Sequence, residues 1–158
     1  AADDDDTPSR GTCLDAGGPG TDEDVPCDSA LAGDVWQVIV QGGSEVAITV
    51  DTRADATAFD TRFHVLDAAS GFVLSGDDQC ICAFGPLPPS PICAEGTFTP
   101  EFNETWRIHV SAFLLEDCVD GVRGDYRLRV QQNGLTITPS LVVDDGPNYF
   151  TDPGPVGR

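Results

Sequence analysis

Thr105-Trp106-Arg107-Ile108-His109-Val110-Ser111-Ala112-Phe113 is the stretch that decides the fold. Trp106, Ile108, Val110 and Ala112 fall on one face, and Arg107, His109 and Ser111 on the other. This period of two is the mark of a half-buried β-strand. The same alternation recurs on both sides of it. From Asp34 onward, Trp36, Val38 and Val40 alternate with Gln37, Ile39 and Gln41. After a Gly42-Gly43 turn, Val46, Ile48 and Val50 alternate with Glu45, Ala47 and Thr49. Farther along, Tyr126, Leu128 and Val130 alternate with Arg127, Arg129 and Gln131. Shorter strands fit residues 63–67, 72–75 and 97–99. No segment of ten or more residues carries a helical period. Many short strands between Gly, Pro and Asp turns predict an all-β fold, a single β-sandwich of jelly-roll-like arrangement.

The chain has 158 residues, of which 40% are hydrophobic, enough for one domain with one sizeable core. No apolar run approaches the ~20 residues of a membrane helix. Asp and Glu number 27 against 8 Lys plus Arg, all of them Arg, for a net charge of −19. That balance argues against nucleic acid and against anionic membrane surfaces, since both need a basic face. It fits a soluble extracellular particle that repels its like. The chain contains no Met, and its start, Ala1-Ala2-Asp3, reads as a mature end left by signal-peptide cleavage.

Six cysteines in such a chain predict three disulfides. Cys13 and Cys27 flank a Gly- and Asp-rich loop and are expected to pair, for about 3 kcal/mol in the chain-entropy model. Cys80 and Cys82 sit two apart, so in a strand they share a face ~7 Å apart and cannot easily bond each other. They are expected to pair separately with Cys93 and Cys118. Cys82–Cys93 with Cys80–Cys118 is preferred, and the swapped pairing stays open. A Cys₄ zinc site is disfavoured, because the paired C-x₂₋₄-C knuckles are missing.

Three parts follow from this pattern: an acidic, disulfide-held arm over residues 1–32, a β-sandwich over 33–131, and an extended C-terminal strand and tail over 132–158. The arm carries four consecutive Asp and few large apolar side chains, so no core element is expected there. In the last part Leu135, Ile137, Pro139, Leu141 and Val143 alternate strictly with polar residues up to Ser140. Pro139 has no N–H to give a ladder, which predicts an edge or added strand. Asn133-Gly134 allows a hairpin of 126–131 with 135–143. The other reading is that 135–143 is donated to a neighbouring subunit, where β-strand addition supplies affinity. Donation from each subunit to the next would propagate as a filament.

Catalytic signatures are missing from the sequence. Neither His64 nor His109 sits in H-E-x-x-H, and no G-x-S-x-G elbow or phosphate-binding P-loop occurs. His109 and Ser111 share a strand face without the register of a triad, and a surface histidine on an exposed sheet face is the preferred reading. No cofactor is required. Calcium is the one candidate metal, with Asp77 and Asp78 in a turn and Asp22, Glu23 and Asp24 in the arm as candidate ligands. Turn aspartates also cap their own backbone. Asn103-Glu104-Thr105 matches an N-glycosylation acceptor, and Glu101 extends it to the bacterial form of the pattern.

The order of features is also similar to a known family. It runs from Asp34-Val35-Trp36-Gln37-Val38 through Val46, Ile48 and Val50 to Phe59-Asp60-Thr61, Val65-Leu66-Asp67, Gly71, Val73-Leu74 and Asp77-Asp78. It ends with Trp106-Arg107-Ile108-His109-Val110-Ser111 and Gly124-Asp125-Tyr126-Arg127-Leu128-Arg129-Val130. This order resembles the bacterial pre-peptidase C-terminal domain over about residues 33–131. The resemblance implies a β-sandwich module, extracellular and non-catalytic, often appended to proteases. Some of its relatives, the clostridial collagen-binding domains, bind Ca²⁺ and a protein ligand. Both end segments here lie outside the family pattern. The function expected is therefore a non-enzymatic structural subunit, secreted or at the cell surface of a bacterium, that assembles with copies of itself through its C-terminal strand. The alternative is a secreted accessory module that binds an extracellular protein or a glycan, with calcium as a possible requirement.

Overall fold

The computed structural model describes residues 20–26, 32–52, 61–76, 80–82, 90–112 and 123–147. These form strands only, in two antiparallel sheets packed face to face. The strands are β1 (Thr21–Pro26), β2 (Ala32–Val40), β3 (Val46–Thr52), β4 (Thr61–Asp67), β5 (Phe72–Gly76), β6 (Cys80–Cys82), β7 (Ser90–Phe98), β8 (Glu104–Ala112), β9 (Arg123–Gln132), β10 (Leu135–Ile137) and β11 (Ser140–Pro147). Sheet I runs β1-β9-β3-β7-β6, with β10 also paired to β9, and sheet II runs β11-β2-β8-β4-β5. No helix in the described residues is long and apolar enough to cross a membrane.

The alternating apolar positions become the core. Trp36, Val38 and Val40 of β2 and Trp106, Ile108 and Val110 of β8 face Val46, Ile48 and Val50 of β3 and Tyr126, Leu128 and Val130 of β9. Phe63, Val65, Val73, Leu74 and Ala94 complete it. Each such side chain fully buried is worth about 1.5–3 kcal/mol relative to leaving it in water.

Two expectations are corrected. The acidic arm is not wholly outside the core architecture, because Thr21–Pro26 pairs along β9 from Leu128 to Arg123. An edge strand needs only backbone hydrogen bonds, so an acidic run can supply one, and its charges block further pairing at that edge. Residues 135–143 do not form one strand. Asn133 and Gly134 both take positive φ (56° and 73°), the two-residue turn that matches strand twist, and β10 returns along β9 only as far as Ile137. The ladder stops at Thr138-Pro139, where the missing N–H of proline breaks it. The chain then crosses to sheet II, where β11 pairs antiparallel with β2, Leu141 opposite Trp36 and Val143 opposite Val35. β1 and β10 thus lie end to end on one edge of β9, while β11 forms an edge of sheet II.

Candidate functional site

Three polar arrangements stand out against this core. The first joins the two sheets. Tyr126 Oη donates to Asp34 Oδ2 at 2.6 Å, and Trp36 Nε1 donates to Tyr126 Oη at 2.8 Å. All three residues are buried. Asp34 and Trp36 belong to β2 of sheet II and Tyr126 to β9 of sheet I, so the hydroxyl links the layers through the core. Burial, and after it the Asp34 carboxylate, pushes the Tyr126 phenol far above its ordinary value. The link serves the fold, since every donor and acceptor named is turned inward.

The second arrangement lies on the outer face of sheet II. His64 and His109 are directly opposite on β4 and β8, their rings stacked at 6.3 Å and 18°. Arg62 is opposite Ser111 in the row on one side of the pair, and Leu66 is opposite Arg107 in the row on the other. His64 is 1% exposed and His109 half-buried, so neither is the fully exposed sheet histidine that the alternation implied. Ser111 and His109 are two residues apart on one strand, about 7 Å along it. A nucleophile and its base need about 2.6–3.2 Å. The strand spacing by itself therefore does not couple the hydroxyl to the imidazole.

Burial, with Arg107 beside it, holds His109 below its ordinary value. A lowered value means that the fold resists a proton the unfolded chain accepts. Stability from this group is complete above about pH 6.5 and falls as pH drops below it, until the folded imidazole itself is protonated. The melting temperature of the parent chain is expected to fall more between pH 7.5 and 5 than that of His109→Gln, and equal slopes in the two chains would refute the assignment. Arg107→Ser should weaken the effect in the same titration.

The third arrangement is at the end of the sandwich where β2 turns into β3. Gln132, at the end of β9, donates from Nε2 to Gln41 O (2.7 Å) and Ser44 O (2.9 Å), and its Oε1 accepts from Gln41 N–H at 2.9 Å. The turn so clamped holds the β7–β8 loop. Gly43 N–H donates to Pro100 O at 2.8 Å, and Gly42 N–H to Asn103 Oδ1 at 2.9 Å. Gly42 is required there: a Cβ would sit 2.7 Å from Glu101 O and from the Phe102 backbone. Glu101, Phe102 and Asn103 are all exposed.

The remaining residues singled out from sequence fall as follows. Asp77, Asp78, Cys13, Cys27 and Cys118 lie outside the described residues, as do the side chains of Asp22 and Asp24 on β1. Among the described residues no three His, Cys, Asp or Glu side chains gather as a metal group. Of the expected assembly strand, Ile137 and Leu141 pack against the core, Pro139 is buried, and Leu135 and Val143 are exposed. Backbone register sets Cys80 opposite Cys93 and Cys82 opposite Ser90. Opposed antiparallel residues lie about 4.5–5.5 Å apart at Cα, within the ~4.4–6.8 Å of a disulfide. We therefore expect Cys80–Cys93, which leaves Cys82 for Cys118, the swapped pairing. Fragmentation mass spectrometry of the non-reduced peptides decides it: a Cys82–Cys93 link would reject the register argument.

The buried polar positions Asp34, His64, Arg129 and Gln132 are what the sequence reading missed. Its only signal was alternation, which assigns polar residues to solvent by default. Asp34 and Gln132 sit on the inward parity of β2 and β9, and that parity could have marked them.

The two sheets and their inward-facing core define an all-antiparallel β-sandwich. No family model matches the chain, and no curated protein matches it. Among solved structures its backbone is similar to the pre-peptidase C-terminal domain of a collagenase from Bacillus anthracis. The two are 16% identical, with a TM-score of 0.41 over 78% of this chain and 97% of that one. That domain is of the family whose feature order the sequence resembles. The class assigned here rests on the sheets of this chain.

Proposed function

We propose that this chain is a non-enzymatic extracellular subunit that associates with copies of itself by exchanging its C-terminal strand. The observation that carries the reading is the seat of β11. It is the last described strand, it forms the edge of sheet II, and it follows a proline-broken crossover between the sheets. Leu141 packs on the core beside Trp36. If residues from Ser140 onward left and the same segment of a neighbour entered, every contact would be remade between copies. Only the crossover around Pro139 would differ, which is the low-cost route of strand exchange. Head-to-tail exchange leaves an open β2 edge at one end and an undonated β11 at the other, so it grows as a filament. The net charge of −19 opposes association, so salt should promote it.

The test is electron microscopy and sedimentation of the full chain beside one ending at Gln132 and beside full-length Leu141→Asp. Filaments or oligomers from the parent, lost in both variants, would support exchange. Dispersed particles from all three would sink it.

A second reading is a secreted binding module for an acidic protein or glycan. It is favoured by Arg107, an exposed cation on the outer face of sheet II beside the half-buried His109, in a very acidic chain. No carboxylate stands at the described outward positions of β2, β4 and β8 (Gly33, Val35, Gln37, Ile39; Arg62, His64, Leu66; Thr105, Arg107, His109, Ser111). Retention of the monomer on a sulfated-glycan resin, lost in Arg107→Glu, would favour this reading over exchange. Calcium, with Asp22, Asp24, Asp77 and Asp78 as ligands, belongs to it as well. A melting temperature indifferent to chelator would remove the metal.

A further inference from the structure

We propose that Asn103 is N-glycosylated, and that the glycan covers the apolar side chains beside it. This rests on the extracellular placement argued above. The acceptor pattern Glu101-Phe102-Asn103-Glu104-Thr105 falls on an exposed loop that enters β8. Short acceptor patterns arise by chance, and many hold their Asn buried or locked in a ladder. Here the fold supplies what the chemistry needs. The Asn103 side chain is exposed, and among the described residues its one hydrogen bond is accepted by Oδ1, from Gly42 N–H at 2.9 Å. That bond fixes the carboxamide by its oxygen, and among the described residues Nδ2, the atom that must react, has no bond to break. The loop is anchored by Gly43 N–H to Pro100 O, so the acceptor stands on a platform clamped by Gln132.

A second observation points to the same cover. Phe102, next to Asn103 in sequence, is 68% exposed, and Ile39, directly opposite Thr105 across the β2–β8 ladder, is 70% exposed. Phe102 and Ile39 thus offer exposed apolar surface beside the acceptor pattern, on which an attached glycan can pack. The C–H face of a sugar ring packs on an aromatic or aliphatic side chain while its hydroxyls stay in water, and a glycan is bulky and solubilising. A glycan linked at Nδ2 would reach both.

The reaction is a group transfer from a polyprenyl-diphosphate-linked oligosaccharide. Nδ2 forms a bond to the anomeric carbon and gives up one proton, and the bond from that carbon to the diphosphate oxygen breaks. The polyprenyl diphosphate leaves with the electron pair. Thr105 at the second position after Asn103 is the recognition residue.

Mass spectrometry of the chain as released by the cells that make it is the test, with Thr105→Ala, Thr105→Ser and Asn103→Gln beside it. Thr105→Ala breaks the pattern without touching Asn103 or its bond to Gly42, and Thr105→Ser keeps the pattern. The parent peptide should carry an increment of whole sugar residues at Asn103, lost in Thr105→Ala and Asn103→Gln and retained in Thr105→Ser. An extracellular parent chain with Asn103 bare overturns this inference and leaves the extracellular reading intact. Recovery of the chain only inside cells overturns both.

Discussion

Trp106→Ala is expected to unfold about 6–20 °C below the parent chain. Trp106 is fully buried on β8, the central strand of sheet II, with β2 on one side and β4 on the other. It packs against Phe98 of the facing sheet at 6.1 Å with the rings tilted by 57°, and Val38 is its ladder partner. Truncation removes the indole's transfer energy and leaves a cavity between two sheets that cannot close on it. The cost is about 3–5 kcal/mol. Its Nε1 also donates to Glu104 Oε1 at 2.9 Å, but Glu104 is half-buried and can find water, so little of the loss comes from that bond. Ile39→Thr on the outer face of the neighbouring strand should change stability by no more than about 0.5 kcal/mol. Differential scanning calorimetry of the two variants measures both. A Trp106→Ala shift as small as that of Ile39→Thr would show that β8 is not the central strand of sheet II.

The same contrast explains which parts of the fold are legible in the sequence. β2, β3, β8 and β9 each bury one face, so their burial is written as apolar alternation, and the inward positions read from it at Trp36, Val38, Val40, Val46, Ile48, Val50, Trp106, Ile108, Val110, Tyr126, Leu128 and Val130 are in the core. β1 bears no such record. Thr21–Pro26 joins β9 through main-chain groups that any residue has, and its acidic side chains point away from the strand assignment. The C-terminal segment misleads for the opposite reason. Leu135 to Val143 keeps a strict period through Pro139, yet the period cannot say that alternate residues serve two different sheets. Leu135 is exposed and Val143 lies outward beside Val35, while Ile137 and Leu141 pack inward from opposite layers. Of the candidate sites, the acceptor at Asn103 was legible because its pattern is local. The pairing of His64 with His109 was not, because it depends on the register of strands 45 residues apart in sequence, which the register alone reveals.

Register also decides the last prediction. Tyr126→Phe is expected to cost about 1.5–3 kcal/mol at neutral pH, the range for a hydrogen bond to a charged partner. It leaves the ring in place, so no cavity forms. What goes is the one hydroxyl that both caps the buried Asp34 carboxylate and accepts from Trp36. Two buried polar groups lose their shared partner in a site that water cannot easily enter. The pH dependence separates this from a packing effect. In the parent, the unfolded chain releases the phenolic proton near pH 10, while burial and the Asp34 charge keep it on Tyr126 in the fold. The unfolded state therefore binds fewer protons above pH 10, and parental stability, complete below that point, falls by about 1.4 kcal/mol per further pH unit. Tyr126→Phe has no such proton, so its stability should be lower at pH 8 and flatter from pH 10 to 11. Denaturant titrations at the two ends of that window give both numbers. If parent and variant decline in parallel, the hydroxyl is reaching solvent, and the two sheets are held by apolar contact without this link.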